Sequence, residues 1–469
     1  MAHWLRDRGF EAYAVRGGIA ALTREPGEVE PVPADQAVAS PPARVLAALH
    51  HPLFRRYSAG VLLSLIGNWV EAAAYGYVVL LLGGSAATLG LIGFLNTIPN
   101  LLFALPAGAL ADRYDRRKLL LVFQSLNMAL AAALAATWAT GTLTLGLLAV
   151  LAVLGGILGT LSFAPFQAML AATVPKRDLE SAVAINSLSL QVARFIGPAL
   201  AGFLLAAAGP TWVFGVNAVS FVAVLGMLAV LPSSLGGGTG AVAGAISEAF
   251  RYVRSQRSLA SMMVLMLVAG LFGTPPVAFM IPAIVRYNLD GGAGTLGAVM
   301  AAIGLGSLLG SIALLRFSSR PNKGEPLLAG FLVTGVALAA IGASTSTWLS
   351  LGLALVGGFA GVLFVGLSTV VVQAMSTDEI RARALAIWAA AFVGMLPFGA
   401  LVTAGLAALI GPGGAVFVDG LAVVVGAIVV VTLRPQVAWL GCAALPESCV
   451  AGLNPAAVAF EVEAQLRTP

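Results

Sequence analysis

Long apolar segments, separated by short stretches rich in charges, Gly or Pro, fill the chain from residue 57 to residue 433. A helix that crosses the hydrocarbon core of a bilayer, about 30 Å thick, needs about 20 mostly apolar residues. Segments of that length predict twelve membrane-spanning helices, at 57–82, 88–111, 119–139, 144–168, 184–208, 211–231, 259–284, 294–316, 325–343, 347–373, 383–409 and 412–433. The clearest breaks between them are the two Gly-Pro pairs at 209–210 and 411–412.

Composition and the distribution of charge agree with this pattern. Hydrophobic residues make up 59% of the 469 residues and charged residues only 10%, whereas soluble domains carry about 25% charged residues. If Arg55 and Arg56 lie in the cytoplasm, the other basic loops fall on the same side, and the opposite loops carry only Arg286. This asymmetry follows the positive-inside rule and predicts two cytoplasmic ends. The net charge of +5 is therefore a topology signal, and we expect no nucleic-acid partner.

An internal repeat divides the predicted spans into two sets. Residues 176–210 align with 378–412 at a constant offset, which superimposes Gly197 on Gly399 and Pro210 on Pro412. The fifth span thus resembles the eleventh, and we expect two pseudo-symmetric six-helix halves. The predicted organisation is a polar cytoplasmic tail, the first half, a linker with an amphipathic helix, the second half and a cytoplasmic tail, at 1–47, 48–231, 232–258, 259–433 and 434–469. Parallel halves of this kind are common in secondary transporters, whose substrate site lies between them.

One charged stretch lies between the second and third spans. It reads Gly-Ala-Leu-Ala-Asp-Arg-Tyr-Asp-Arg-Arg-Lys, and its notable members are Gly108, Asp112, Arg113, Asp115, Arg116, Arg117 and Lys118. This stretch resembles the loop 2–3 signature of the major facilitator superfamily, in the branch that includes the enterobactin exporter and related macrolide and drug efflux proteins. Asp115 is a departure, because many members have Gly there. The resemblance covers roughly residues 48–433 and implies an all-α, twelve-helix transporter in the bacterial inner membrane.

The resemblance also implies a role for this cluster as a latch that holds the two halves in the outward-open state. Asp112 would sit at the C-terminal end of a helix, where an anion needs cationic or N–H partners. The basic residues after it are within reach, but the corresponding loop of the second half, 316–323, contains no acidic partner. The alternative is that these basic residues only fix the topology.

Three ionisable residues lie inside predicted spans, where a central charge costs roughly 2.5–3.5 kcal/mol on insertion scales. Glu71 is the first candidate for the carboxyl group that couples transport to protons, with a structural hydrogen-bonded acid as the alternative. Arg194 keeps its charge in practice, so we expect it to pair with Glu71 as a switch between proton and substrate, or to make a fixed structural contact. Asp419, in the outer third of the last span, is a weaker coupling candidate.

The fifth span contains Gly197, Pro198 and Gly202, a partial match to the antiporter motif of drug/proton exporters. Pro removes a helical hydrogen bond and small residues allow close backbone approach, so the span is predicted to bend and to form a tight seam. This favours export over import. Polar and aromatic residues of the first half are candidates for lining a cavity or, alternatively, for packing between helices: Asn68, Trp69, Tyr75, Asn96, Asn100, Gln124, Gln167, Asn186 and Gln191.

The motifs that the sequence lacks narrow the chemistry further. It has no G-x4-G-K-[ST] loop for ATP, no H-E-x-x-H and no G-x-S-x-G, and its three His residues all precede the first span. We therefore expect no enzymatic activity, cofactor or metal. The predicted function is export of a small amphipathic organic molecule, such as a siderophore or drug, in exchange for protons, by a monomer surrounded by membrane lipids. The alternatives are a lysophospholipid or lipid transporter of the same fold and a non-transporting membrane sensor or scaffold.

Overall fold

The computed structural model describes residues 46–231, 257–320, 322–376 and 378–433. Nearly all of the predicted linker, its amphipathic helix and the two polar tails, including Cys442 and Cys449, lie outside the described residues. Within the described residues the secondary structure is helical, without strands.

The first six long helices follow one another with short connections. They are α1 (Pro52–Leu81), α2 (Ala86–Arg113), α3 (Arg116–Ala139), α4 (Leu145–Ala172), α5 (Leu179–Ala207) and α6 (Pro210–Val230). Short 3-10 turns, Ala47–His50 and Lys176–Asp178, precede α1 and α5. Each helix agrees with a predicted span to within about five residues.

The second set begins with α7, which consists of Arg257–Val268, the π-helical segments Ala269–Gly273 and Pro276–Met280, and Ile281–Tyr287. It continues with α8 (Ala293–Ser318), α9 (Gly324–Ala343) and α10 (Thr347–Met375). The last part comprises Asp378–Phe392, a 3-10 turn at Val393–Met395, and Leu396–Leu433. Gly411 interrupts this last run with a φ of +77°, so α11 covers 378–410 and α12 covers 412–433.

The described residues contain eleven stretches long and apolar enough to cross a membrane, of which Arg383–Leu433 is 51 residues long. That length is about twice what one crossing needs, and Gly411 divides it into two spans. Glycine suits this break because an L side chain rarely adopts a positive φ. The twelve-helix prediction is therefore confirmed.

Local sequence signals set several helix starts. Ser85 accepts a hydrogen bond from the backbone N–H of Thr88, whose side chain in turn accepts from the Ser85 N–H, which forms a capping box before α2. The Thr144 hydroxyl accepts a hydrogen bond from the backbone N–H of Leu147 and so caps α4. Pro210 occupies the first turn of α6, where its missing N–H costs nothing. These caps place the charged and turn residues at the ends of the bundle.

Helix packing repeats with an offset of six helices. Helix α1 contacts α5 and α6, as α7 contacts α11 and α12. The pairs α2–α4 and α3–α6 likewise correspond to α8–α10 and α9–α12. The two halves meet mainly through α5 against α8 and α2 against α11, which are equivalent pairs under the same exchange. This is the predicted pseudo-symmetric arrangement.

The halves are joined at one end of the bundle by a continuous apolar core. It includes Val78, Leu89 and Leu148 from the first half and Ile284 and Ile341 from the second, all with 0–3% of their surface exposed. This end carries the loops before α2, α4, α8 and α10.

The opposite end, which carries the loops rich in Arg and Lys, has two separate cores. Phe54 and Tyr57 belong to a core within the first half, and Leu259 and Phe364 belong to one within the second half. The halves thus close on each other at one end and stand apart at the other.

Candidate functional site

A cavity of about 2200 Å³ lies between the two halves. Its wall includes Pro282 and Ile341 near the shared apolar core, and it extends to His50, Asp178 and Leu315 at the opposite end. The cavity is therefore closed at the end where the halves pack together and reaches the end that carries the basic loops.

The first half supplies most of the polar groups of the cavity wall. Of the predicted cavity residues, eight lie on this wall: Asn68, Trp69, Tyr75, Asn96, Gln124, Gln167, Asn186 and Gln191. Some of them also hold helices together. The Tyr75 hydroxyl donates to the Leu148 carbonyl at 3.3 Å, and the Asn96 amide donates to the Ala152 carbonyl at 3.1 Å. Cavity lining and helix packing are thus compatible roles for one side chain.

Asn100 is the predicted cavity residue that the structure does not place on the wall. Its Oδ1 accepts a hydrogen bond of 2.9 Å from the Thr160 hydroxyl, between α2 and α4. Asn100 lies four residues beyond Asn96, and Pro99 between them supplies no backbone N–H to the helix. Asn100 is therefore a helix-packing contact in this conformation.

The wall contributed by the second half is predominantly apolar. It includes Phe279, Ile303, Phe331 and Leu396, and among its described lining residues hydroxyl groups such as that of Ser307 are the polar side chains. The charged residues of the described wall all belong to the first half. The cavity thus has one polar and one apolar side.

The Glu71 carboxyl group lies on the cavity wall and is hydrogen-bonded to α6. The Asn217 amide donates to Glu71 Oε2 at 2.6 Å, and Asn217 Oδ1 accepts from the Ser220 hydroxyl at 3.1 Å. Gly67 leaves the space for this group, because an added Cβ would lie 2.6 Å from Asn217 Oδ1. Asn217 is not among the residues predicted from the sequence, although a carboxamide in the middle of an apolar span was the available signal.

Arg194 also lies on the cavity wall, but it does not pair with Glu71. Among the described residues no ion pair joins Arg194 to a carboxylate, and the Arg194 guanidinium carbon lies 4.8 Å from the centroid of the Trp69 ring. The predicted Glu71–Arg194 pair is therefore wrong for this conformation. Trp69 and Glu71 are two residues apart on α1 and point about 200° apart around the helix, so Arg194 on Trp69 is directed away from Glu71.

The predicted latch cluster contains two helix caps. Asp115 Oδ1 accepts from the backbone N–H groups of Arg117 and Lys118, at 2.9 and 3.2 Å, and so caps the start of α3. Arg117 donates from Nε to the Leu228 carbonyl at 2.6 Å and from Nη2 to the Ala229 carbonyl at 2.8 Å, at the end of α6. A cation at this position satisfies carbonyls that have no partner within the helix and lies favourably at its negative end.

The other members of the latch cluster make fewer hydrogen bonds. The Arg116 Nε donates to the Ala111 carbonyl at 3.3 Å, and Arg113 stacks over the Tyr114 ring at 5.8 Å. Asp112 and Lys118 are exposed, and Gly108 has open space beside it. In the part of the chain that the structure describes, Asp112 has no ion-pair partner. A latch at Asp112 stays a prediction for another conformation.

A small polar cluster lies at the rim of the cavity. His51 Nε2 lies 2.8 Å from Asp178 Oδ2, and Arg177 Nε lies 3.6 Å from the same oxygen. The backbone N–H of Ala48 donates to the Ser181 hydroxyl at 3.0 Å. These contacts hold the turn before α1 against the start of α5. The hydrogen bond from His51 keeps the pKa of the Asp178 carboxyl below its usual value.

Asp419 is fully buried away from the cavity wall. The Thr403 hydroxyl donates to its Oδ2 at 2.6 Å, between α11 and α12, and its Oδ1 has no hydrogen-bond partner among the described residues. Within those residues, no group of three or more His, Cys, Asp or Glu could hold a metal ion.

The three residues of the predicted seam contact different neighbours. Gly197 faces Trp69 on α1, Pro198 lies on the cavity wall, and Gly202 faces Gly297 on α8. An added Cβ on Gly202 would lie 2.5 Å from the Gly297 Cα, so the backbones of the two halves touch there. The repeat places Ala404 at the position equivalent to Gly202, and Ala404 faces Gly90 in the α2–α11 contact.

Three curated proteins with sequence similarity are transporters. The staphyloferrin A transporter of Staphylococcus aureus (strain NCTC 8325 / PS 47) is 32% identical over 162 residues, 34% of this chain and 41% of that protein. The multidrug efflux pump Tap of Mycolicibacterium fortuitum is 25% identical over 76% of this chain and 88% of its own length. The enterobactin exporter EntS of Citrobacter koseri is 24% identical over 80% and 90% of the two chains.

A solved structure shows the same fold. The bacterial homologue of the human lysosomal transporter Spinster, in its inward-facing and unoccupied conformation, superimposes with a TM-score of 0.60. The sequences are 15% identical, and the match covers 86% of this chain and 98% of the other.

A family model described as a transmembrane secretion effector matches residues 43–461. This match covers the described helices, and it agrees with the resemblance inferred from the stretch between α2 and α3. The chain therefore belongs to the transmembrane secretion effector family of the major facilitator superfamily.

Proposed function

We propose that this chain exports a small amphipathic organic compound, such as a siderophore or drug, in exchange for protons and by alternating access. The observation that carries the proposal is the cavity of about 2200 Å³ between two halves that are packed together at one end and separate at the other. The names of the similar transporters, which refer to siderophores and to multidrug efflux, support this choice of cargo.

The charges at the two ends of the bundle support the direction of transport. By the positive-inside rule the basic loops lie in the cytoplasm, so the cavity accepts cargo from that side of the bacterial inner membrane. Rocking about the α5–α8 and α2–α11 contacts would then open the other end. Each chain contains a whole cavity, which supports a functional monomer. An even number of spans with the basic loops in the cytoplasm supports two cytoplasmic ends.

The position of Glu71 on the cavity wall supports proton coupling. When the carboxyl group is ionised it only accepts hydrogen bonds, such as the one from Asn217, and when protonated it can also donate one. Loading a proton therefore changes the hydrogen bonding between α1 and α6 at the cavity wall. A carboxyl group within a span is a functional candidate for the same reason.

The test uses purified protein in proteoliposomes with an imposed pH gradient and a panel of a siderophore, a macrolide and a lysolipid. We expect one ligand class to be moved by the wild type and stimulated by the gradient. Glu71→Gln is isosteric and should retain movement down a concentration gradient but lose this stimulation. Glu180→Gln, the same change at an exposed carboxyl group on the cavity wall, serves as the control and should keep the stimulation.

Two results would contradict the proposal. Stimulation by the gradient that persists in Glu71→Gln would remove Glu71 from coupling. Failure of the wild type to move any member of the panel would contradict transport itself and favour a sensor or scaffold, whereas movement of the lysolipid alone would favour a lipid transporter.

A further inference from the structure

Arg194 is a permanent cation on the cavity wall, and among the described residues it has no anionic partner. Its guanidinium group has five N–H donors, and its contact with the face of Trp69 at 4.8 Å satisfies none of them directly. Glu71, the partner predicted from the sequence, is instead hydrogen-bonded to Asn217. At the rim, Asp178 pairs with His51 and Arg177. The donors of Arg194 are therefore available to a molecule in the cavity.

Gln191, a second polar residue with an unpaired side-chain atom, lies about one helical turn from Arg194. Gln191 precedes Arg194 by three residues on α5 and shares its cavity face, and the Gln191 Oε1 is buried without a hydrogen-bond partner in the described part of the chain. Since Oε1 is the buried end of this amide, the NH₂ group is the end open to the cavity and can donate to a ligand. Together the two side chains can donate to one acidic group, held beside the flat surface of Trp69.

The wall opposite this site is apolar. Met300 and Ile303 lie on α8 and Phe279 on α7, and the described lining of the second half contains no charged residue. A ligand that fills the cavity therefore needs a charged group on one side only. The volume of about 2200 Å³ exceeds the roughly 300–1,000 Å³ of ordinary ligand pockets, which leaves room for a large apolar portion.

We infer that the Arg194–Gln191–Trp69 site binds the acidic group of an amphiphilic anion, a carboxylate or phosphate, whose apolar portion lies against the second half. This inference rests on the proposed function, because it assigns the class of cargo that the cavity carries. Arginine suits either acid, since its planar fork forms paired, charge-assisted hydrogen bonds with both.

The position of Arg194 also connects the site to the contact between the halves. The backbone carbonyl of Arg194 faces Gly304 of α8, and Pro198, four residues later, has no N–H to bond this carbonyl. The residue that holds the acid with its side chain thus touches the second half with its backbone. Binding of the acid to the Arg194 side chain can therefore change the packing at the α5–α8 contact.

The experiment measures binding of matched fluorescent probes to the full chain in nanodiscs, with empty nanodiscs subtracted. The probes are 1-pyrenebutyrate, the phosphate ester of 1-pyrenebutanol, neutral 1-pyrenebutanol and a trimethylammonium analogue, read by energy transfer from tryptophan. We expect the wild type to prefer at least one of the two anions over the alcohol by about ten-fold, as charge-assisted hydrogen bonds would give. The better of the two anions tells which acid the site takes.

Variants of Arg194 separate the effect of its charge on anion binding from the effect of the cavity shape on binding of the neutral alcohol. Arg194→Gln should remove the preference for the anion and leave alcohol binding unchanged, which also shows that the cavity is intact. Arg194→Lys should restore part of the preference, and Arg286→Gln, at an exposed position at the end of α7, should behave as the wild type. Equal anion preference in the wild type and Arg194→Gln, or a preference of the wild type for the cation or for none of the probes, would overturn the inference.

Transport of the same probes distinguishes this inference from the proposed function. Transport of the probes that is unchanged in Arg194→Gln would support the proposed exporter and contradict the anion site. Selective anion binding that depends on Arg194, without transport of any probe or panel compound, would support the anion site and contradict the proposed export function.

Discussion

Substitution of Gly202 with Ala tests whether the α5–α8 contact holds this conformation closed at one end. Gly202 faces Gly297 where the two halves touch, near the shared apolar core. An added methyl group would lie 2.5 Å from the Gly297 Cα and 3.1 Å from the Ala293 carbonyl oxygen. Both obstacles are backbone atoms, which cannot rotate away as a side chain could.

The size of the effect follows from this geometry. Carbon atoms pack at about 3.5–4.0 Å, so the two helices must separate by about 1 Å or bend. Such overpacking costs about 1–3 kcal/mol. If the other conformation parts these helices, the cost applies to the present one only, and the ratio of the two states shifts by about 5–150-fold. The gain of roughly 0.5–1 kcal/mol from replacing Gly in a helix applies to both states and cancels.

The assay is pulsed electron paramagnetic resonance on spin labels at the closed end of the bundle. Thr142→Cys and Trp348→Cys place labels on exposed positions of the first and second halves, after replacement of Cys442 and Cys449 with Ser. We expect Gly202→Ala to raise the population with a long distance between the labels. Gly90→Ala, in the equivalent α2–α11 contact, should act in the same direction.

The matched control is Gly405→Ala, in which the added Cβ has no atom within 4 Å. Gly405 follows Ala404 in α11, so it tests a change of helix propensity at the same level of the bundle. A distance distribution of Gly202→Ala identical to that of the wild type would refute the reasoning. The same shift in Gly405→Ala would also refute it, because the effect would then not come from the contact.

Three further substitutions test individual contacts. Asp115→Ala removes the N-cap of α3 and should lower the unfolding free energy by about 0.5–2 kcal/mol; an unchanged melting midpoint in detergent would contradict this. Arg117→Ala removes the hydrogen bonds to the last carbonyls of α6 and should cost about 1–2 kcal/mol in the same assay, with Arg117→Lys recovering only part, because an ammonium group lacks the planar fork. Asp419→Asn should retain transport stimulated by a pH gradient, since this carboxyl lies away from the cavity wall, and loss of the stimulation in proteoliposomes would move proton coupling to Asp419.

The sequence predicted the spans well because span length and apolar composition are local properties. The span predicted at 211–231 is α6, Pro210–Val230, for example. It placed the start of the first span too late, since α1 begins at Pro52 and Phe54, before the predicted start at residue 57, is buried in the core of the first half. The π-helical segments of α7 were not predicted, although Pro275 and Pro276 marked the place where the helix cannot keep its regular hydrogen bonds.

The site was less accessible from the sequence, because it depends on which helices are neighbours. Glu71 and Arg194 were identified by their charges within apolar spans, but their partners, Asn217 and Trp69, follow from the packing of α1 between α5 and α6. The charged stretch between α2 and α3 identified the family, whereas the capping role of Arg117 required knowledge of where α6 ends. Local patterns thus gave candidates, and tertiary packing gave their contacts.

The internal repeat has a consequence for how such a protein could be retargeted. The alignment that superimposes Gly197 on Gly399 keeps glycine where α5 and α11 touch α1 and α7. The same alignment puts Leu396 opposite Arg194, and both residues lie on the cavity wall. The two halves thus share the glycines at which their helices pack, whereas the charged residues of the described cavity wall belong to the first half. An engineer who wants a pump for a different compound would therefore vary the first half and leave the second as a generic partner.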